Sequence, residues 1–406
     1  MTLRRFLAFT LNALVLVATA QSQTENVLYR FKGAPDGFYP AAGLTLQGGN
    51  LYGTTYFGGA YGSGTVFELR HGPAGWTEQV LYSFSGGSDG GNPAGSSVIF
   101  DKKGNMYGTT WRGGNSTCDC GVIFELQPST SGWTETVLSA PGSNGEVEYP
   151  QDITFDSHGN IFDTGEGLLF ELTPSSTGWK YSVVGTAGVA SSSAGALAID
   201  SEENIYAATS AGGNINCPSG PCGGVFEYVA GAGNAWTYNS LYEFLGTTDG
   251  GEPQSGVTLN GGNLFGTAYE TGADGVGTVY ELVSANGTWT ENTLHTFTNS
   301  PDGAGPQAEV AFDAAGNMYG STAGGGSGVC FLATNCGTVF ELSPSESGWT
   351  EKILHNFAVA GHDGFRPGGN LVLDSSGNIY GVTSYGGKYD HGLGNIGYGV
   401  VYEVTP

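Results

Sequence analysis

One phrase returns seven times along the chain: GNLYGTT (49–55), GNMYGTT (104–110), GNIFDTG (159–165), ENIYAAT (203–209), GNLFGTA (262–268), GNMYGST (316–322) and GNIYGVT (377–383). A second phrase follows each copy, as TVFEL (65–69), VIFEL (122–126), LLFEL (168–172), GVFEY (224–228), TVYEL (278–282), TVFEL (338–342) and VVYEV (400–404). A third begins at Trp76, Trp133, Trp179, Trp236, Trp289 and Trp349, and so follows only the first six. Its seventh copy stands at the front of the chain, as ENVLYRF (25–31). Self-similarity at a fixed period decides architecture before composition is consulted, because each unit can bury its apolar faces only against its neighbours.

Each unit reads as four strands separated by Gly-rich turns. In the first unit these are Gly43–Leu46, Leu51–Thr55, Thr65–Leu69 and Trp76–Phe84. A period of roughly 55 residues suits a four-stranded propeller blade. The expected fold is all-β, a seven-bladed β-propeller formed as one domain by residues 21–406, whose last blade (367–406) is completed by 25–31. Pairing of Asn26–Phe31 with Val400–Val404 would close the ring and leave no exposed strand edge. No 3.6-residue apolar period is sustained after residue 20, so helix is not expected.

Taken with the D-G-x-x-P turn that follows most Trp segments, the three phrases resemble the GloVer tandem repeats of secreted bacterial proteins over nearly the whole chain. The resemblance implies export and a propeller-like body, and no particular activity. Relatives often carry a C-terminal surface anchor; none is visible after Pro406, which points to release into periplasm or medium. Residues 1–20 read as a signal peptide, with Arg4 and Arg5, the apolar stretch Phe6–Val17 and the cleavage signal Ala18-Thr19-Ala20. That stretch is too short to span a membrane, and no later apolar run reaches about 18 residues. The net charge is −25, and about −27 without the leader, which repels phosphate backbones and argues against nucleic acid as a partner. A monomer without a cofactor is expected.

The six cysteines form three close pairs, Cys118/Cys120, Cys217/Cys222 and Cys330/Cys336, and the second of each lies five residues before the Glu of the F-E phrase. In an exported protein they read as three local disulfides. The pairs sit in different units, and two thiolates are too few for a structural zinc site, so no metal is expected. Seven repeated glutamates (Glu68, Glu125, Glu171, Glu227, Glu281, Glu341 and Glu403) read as architecture, since an active site needs one copy, with Thr and backbone groups as expected partners. Asp36, Asp89, Asp249, Asp302 and Asp363 read as Asp-Gly turn formers. The histidines have no metal-ligand spacing, and His295 and His355 stand where other units carry Tyr29, Tyr82 and Tyr242.

Residues that vary between units are better candidates for function. After the second strand the units carry Tyr56, Trp111 with Arg112, Tyr269 with Glu270, and Tyr385, on loops expected to share one face near the axis. Aromatic planes with a few polar groups make a ligand site. Unit three has a shortened loop, DTGEG (163–167), expected to leave a rim notch lined by Asp163 and Glu166. No constellation of nucleophile, base and oxyanion donor appears. The reading is a non-catalytic binding or scaffold propeller that engages a glycan or a cell-envelope protein. The alternative is a polysaccharide hydrolase or lyase that uses Asp163, Glu166 or Glu270.

Overall fold

The computed structural model describes residues 24–93, 97–142, 148–165, 167–186, 193–213, 217, 222–233, 235–272, 275–330, 336–359, 363–388 and 396–406. The expected leader (1–20) lies outside them. Every regular element among the described residues is a strand. Seven antiparallel sheets, six of four strands and one of five, build a seven-bladed β-propeller. Blade 1 runs Thr45–Gln47, Asn50–Thr55, Thr65–Gly72 and Gly75–Ser83. Blades 2 to 7 take their third strands from Val122–Ser129, Leu168–Ser175, Gly224–Ala230, Thr278–Ala285, Thr338–Ser345 and Val400–Thr405. Gly43, Ser97, Asp152, Gly195, Ser255, Gln307 and Asn370, one from each blade and at or just ahead of its first strand, line a single cavity, so the first strands surround the axis.

The ring closes through the chain's front. Thr24–Arg30 pairs antiparallel with Val400–Thr405, from Thr24 opposite Thr405 to Arg30 opposite Val400. It is the fourth strand of blade 7, one residue out from the expected bounds at each end. Third strands are buried on both faces, as Thr65–Leu69 shows, because each blade is covered by its two neighbours.

Five blade interfaces share one design. The last residue of the Trp segment is Phe31, Phe84, Phe244, Phe297 or Phe357. Each meets the third-strand ring of the next blade edge to face: Phe67, Phe124, Tyr280, Phe340 and Tyr402, at 5.0–5.2 Å. Two residues earlier stand Tyr29, Tyr82, Tyr242, His295 and His355, which hydrogen-bond the Asp of the following Asp-Gly turn (Tyr29 Oη to Asp36 2.9 Å, Tyr242 Oη to Asp249 3.0 Å). That explains the Tyr/His exchange: both supply a donor to a carboxylate that is half-buried or, at Asp249, buried. The next blade adds a Glu beside each pair, Glu78 beside Asp36 and Glu135 beside Asp89, for example.

The other two interfaces, between blades 2, 3 and 4, keep the third-strand ring but carry neither the entering Phe, the Tyr/His donor, the Asp-Gly turn nor the Glu. The Phe positions hold Pro141 and Ala187, and the Glu positions hold Tyr181 and Tyr238. Phe170 and Phe226 stack instead on those tyrosines of their own blades, at 5.2 and 5.4 Å. The second strand agrees. In blades 1 and 2 a Cβ added at Gly53 or Gly108 would come within 2.7 Å of Phe67 or 2.6 Å of Phe124. Blades 3 and 4 carry Asp163 and Ala207 at that position, and theirs are the rings that face the outer tyrosine.

The repeated glutamates are structural, though their partners differ from those expected. Glu68 accepts from Tyr52 Oη (2.8 Å), Asn50 (2.9 Å) and Arg70 (2.8 Å), and Glu125 accepts from Tyr107 Oη (2.7 Å). Residues of the first phrase also serve Glu281, through Asn263, and Glu403, through Tyr380, whereas Ser182, Asn239 and Ser343 serve Glu171, Glu227 and Glu341. An unforeseen regularity lies one turn away. Asp101 accepts the backbone N–H groups of Lys103 and Asn105, the Asn105 amide and Tyr107 Oη. Asp200, Asp313 and Asp374 repeat the arrangement.

Two outcomes are expected. Phe31→Ala should cost about 3–5 kcal/mol by denaturant unfolding, since a fully buried ring at the closing interface is lost. Burial, with the carboxylates of Asp36, Asp89 and Asp249 adding, pushes Glu78, Glu135 and Glu291 up to about 7. A carboxyl whose folded pKa is raised binds its proton better in the folded state, so stability should fall as pH rises from about 4.5 to about 7. Replacing these three glutamates by Gln should flatten that slope in melts recorded across the window.

Candidate functional site

The loops after the second strands and those between blades share one face, as expected. Tyr56, Trp111 and Tyr385 come together there. With Phe38, Tyr39, Phe57 and Tyr398 they line a cleft of about 1080 Å³ over blades 7, 1 and 2. Its walls are aromatic contacts: Phe38 stacks on Phe57 at 5.2 Å, Tyr39 meets Tyr385 at 5.1 Å, and Phe365 stacks behind Tyr385 at 5.4 Å. Trp111 is 46 % exposed, more than Phe57 at 38 %, and meets Tyr149 edge to face at 6.3 Å. The cleft adjoins the axial cavity of about 390 Å³, with Tyr39, Ala41 and Ser384 lining both. Gln151, Gln254, Gln307 and Asn370 give the axial cavity an amide lining, and Arg366 is the cation on it.

The remaining sequence candidates go elsewhere. Tyr269 and Glu270 line a separate cavity of about 360 Å³ around blades 5 and 6, and Arg366 also reaches it. Arg112 is engaged by Asp119 at 2.9 Å. Asp119 is held below its usual range by the Gly113 N–H first and then by Arg112. Asp163 lines no notch: it is 0 % exposed, because it replaces the inward-facing glycine of the second strand. Burial pushes it up to about 8, against the backbone N–H groups of Thr164 and Gln151 that lower it. Glu166 lies outside the described residues. The three disulfides form as paired in sequence: Cys118–Cys120, Cys217–Cys222 and Cys330–Cys336.

The second cysteine of each pair has a further task. The carbonyls of Cys120, Cys222 and Cys336 accept the N–H of Tyr149, Glu252 and Arg366 in the next blade, at 3.0, 2.8 and 2.8 Å. Ser63, Val276 and Tyr398 do the same for Asn92, Gly305 and Tyr39. All six acceptor-bound residues precede the proline of the inter-blade turn, and all have left-handed φ, from 54° at Glu252 to 62° at Tyr39. Five are not glycine, which is costly for an L-residue. Three of their carbonyls, of Tyr39, Asn92 and Glu252, accept the N–H of Tyr56, Trp111 and Tyr269. One position in each of six blades is thus pinned in an uncommon conformation on the loop face, while its side chain changes from blade to blade. Sequence reasoning missed Tyr39, Arg366 and Glu252 because they sit inside a turn motif. The available signal was the variable residue before a recurrent proline.

The sequence profile of the Gloeobacter/Verrucomicrobia repeat matches residues 12–165 and 161–395. No curated protein matches the chain. Among solved structures, a streptogramin B lyase is similar at 12 % identity and TM-score 0.58, covering 94 % of this chain and 97 % of its own. Selenomethionine-substituted virginiamycin B lyase from Staphylococcus aureus gives 12 % identity and TM-score 0.56, covering 95 % and 99 %. At such identity the likeness establishes the fold.

Arg366→Gly should fold with stability unchanged to within about 1 kcal/mol by denaturant unfolding, because relief of the left-handed strain offsets the added freedom of glycine in the unfolded chain. Blade 6 already carries Gly305 at this position.

Proposed function

Because the chain belongs to the Gloeobacter/Verrucomicrobia repeat family, with matched repeats spanning nearly all of it, we propose that its function resides in what differs between repeats: it is a non-catalytic binding propeller, exported from the cytoplasm, that holds a glycan on its loop face. The observation that carries this reading is the juxtaposition of the aromatic cleft with the amide-lined axial cavity. Aromatic planes such as Trp111 and Tyr385 stack on the apolar faces of sugar rings, while amides and hydroxyls satisfy the sugar's own hydroxyls. The ring contacts and the pinned backbone ahead of each proline keep the site ordered before binding, which lowers the entropy lost on capture. Three disulfides fit an oxidising compartment and support export.

A second reading, a polysaccharide hydrolase or lyase, draws on one observation. Burial raises the Glu252 carboxyl and the nearby Glu270 raises it further, so two carboxyls sit close together, with Glu270 beside Tyr269 on one cavity. Asp163 takes no part in that reading, being enclosed within blade 3.

On a glycan array and in pull-downs from cell-envelope fractions, Trp111→Ala and Tyr385→Ala should each weaken capture by about tenfold or more with an unchanged melt. Equal capture by wild type and variants would remove the cleft as the site. Retention of a protein and no glycan would replace the ligand class, and new reducing ends or unsaturated products from a polysaccharide panel would favour the enzyme.

A further inference from the structure

Two of the five interfaces built on Asp-Gly turns differ from the other three in one respect: an imidazole stands in place of a phenol. Between blades 6 and 7, His355 Nε2 lies 3.0 Å from Asp363 Oδ2, and Glu25 on the closing strand completes a group whose ligand atoms all lie within 4.8 Å of one another. Between blades 5 and 6, His295, Asp302 and Glu351 repeat the arrangement, with His295 Nε2 3.3 Å from Asp302 Oδ2. In both groups one glutamate oxygen, Glu25 Oε1 and Glu351 Oε1, is buried with no hydrogen-bond partner. We propose that these are two binding sites for a first-row divalent cation of the zinc class, each formed by one imidazole and two carboxylates from adjacent blades.

The donor chemistry selects these two interfaces. A neutral imidazole with two carboxylates is a set that zinc, cobalt and manganese accept. The protonated phenols of Tyr29, Tyr82 and Tyr242 are hydrogen-bond donors to their Asp and offer no such ligand. The dimensions agree. Ligands about 2.0–2.1 Å from a tetrahedral ion sit about 3.3 Å apart, near the observed His–Asp separations, and the Glu oxygen lies within 4.8 Å of both other ligand atoms. The ion would neutralise two carboxylates that stand close enough to repel each other, Asp363 beside Glu25 and Asp302 beside Glu351. His355 and His295 keep 19 % and 20 % of their side chains exposed, which leaves a path from solvent and a fourth coordination position for water.

Two other groupings are set aside. In Asp156, His158 and Glu203 the imidazole is 72 % exposed, and Ser157 Oγ already donates to Glu203 Oε1, the oxygen nearest that ring. In Cys118, Cys120 and Glu148, the sulfurs are bonded to each other. The proposal is independent of the loop-face reading, because both sites lie between blades and contribute nothing to the aromatic cleft. Through Glu25, the blade 6–7 site would tie the closing strand to a neighbouring blade.

The repeats supply their own control. His295→Tyr and His355→Tyr install the residue that three other interfaces carry, so both variants should fold. Tag-free protein stripped with chelator is titrated with ZnCl₂ by calorimetry, with Co²⁺ absorption as a second readout. The wild type should bind about two ions per chain. Each single variant should bind about one and the double variant none, and the wild-type melting temperature should rise by about 2 °C or more at saturating Zn²⁺. Absence of binding by the wild type at micromolar Zn²⁺, or the same stoichiometry in the folded double variant, overturns the proposal.

Discussion

The third strand of each blade cannot be buried by its own blade. Phe67, Phe124, Tyr280, Phe340 and Tyr402 are all but inaccessible to solvent, and each owes that to a phenylalanine delivered by the preceding blade. Burial of such a ring is worth a few kcal/mol, comparable with the net stability of a whole domain, so an open ring would forfeit a decisive share. The segment Thr24–Arg30 and the adjoining Phe31 remove the open end. The strand completes blade 7, Phe31 packs on Phe67 of blade 1, and Glu25 lies beside Asp363 from the turn that leads out of blade 6.

The inter-blade turn D-G-x-x-P serves two purposes at once. Its Asp enters the interface and accepts from Tyr or His. Four residues on, its proline follows the pinned position that projects from the loop face. The interface thereby orients the site: Tyr39 is held by the Tyr398 carbonyl of blade 7 and holds the Tyr56 N–H of blade 1 in turn. Where Cys120, Cys222 and Cys336 provide the equivalent carbonyl, the disulfide restrains the loop that presents it. Carboxylates at five interfaces set a pH dependence that a purely apolar interface would not have.

Blades 3 and 4 show that the interface parts vary as a set. Loss of the entering Phe, of the Asp-Gly turn and of the Tyr/His donor coincides with Tyr181 or Tyr238 in place of Glu, and with Asp163 or Ala207 in place of Gly. Each change answers another: a Cβ on the second strand crowds the inward ring position, and an outward-facing ring needs an aromatic partner in its own blade. Read alone, Asp163 suggests chemistry; read with Phe170 and Tyr181, it belongs to an alternative packing.

Blade number, strand count, closure by ENVLYRF and the cysteine pairing were legible in the sequence because they are written as repetition and local spacing. The grouping of Tyr56, Trp111 and Tyr385 into one cleft was not, and neither was the separation of Tyr269 and Glu270 from it. These residues occupy comparable loops in different blades, and which of them meet depends on the angular placement of blades around the axis. The same holds for His355 beside Glu25, 330 positions apart in sequence. Sequence by itself determined what each repeat can form with its own residues. Tertiary structure alone decided what one blade presents to another, because those contacts depend on the ring's geometry and carry no fixed spacing along the chain.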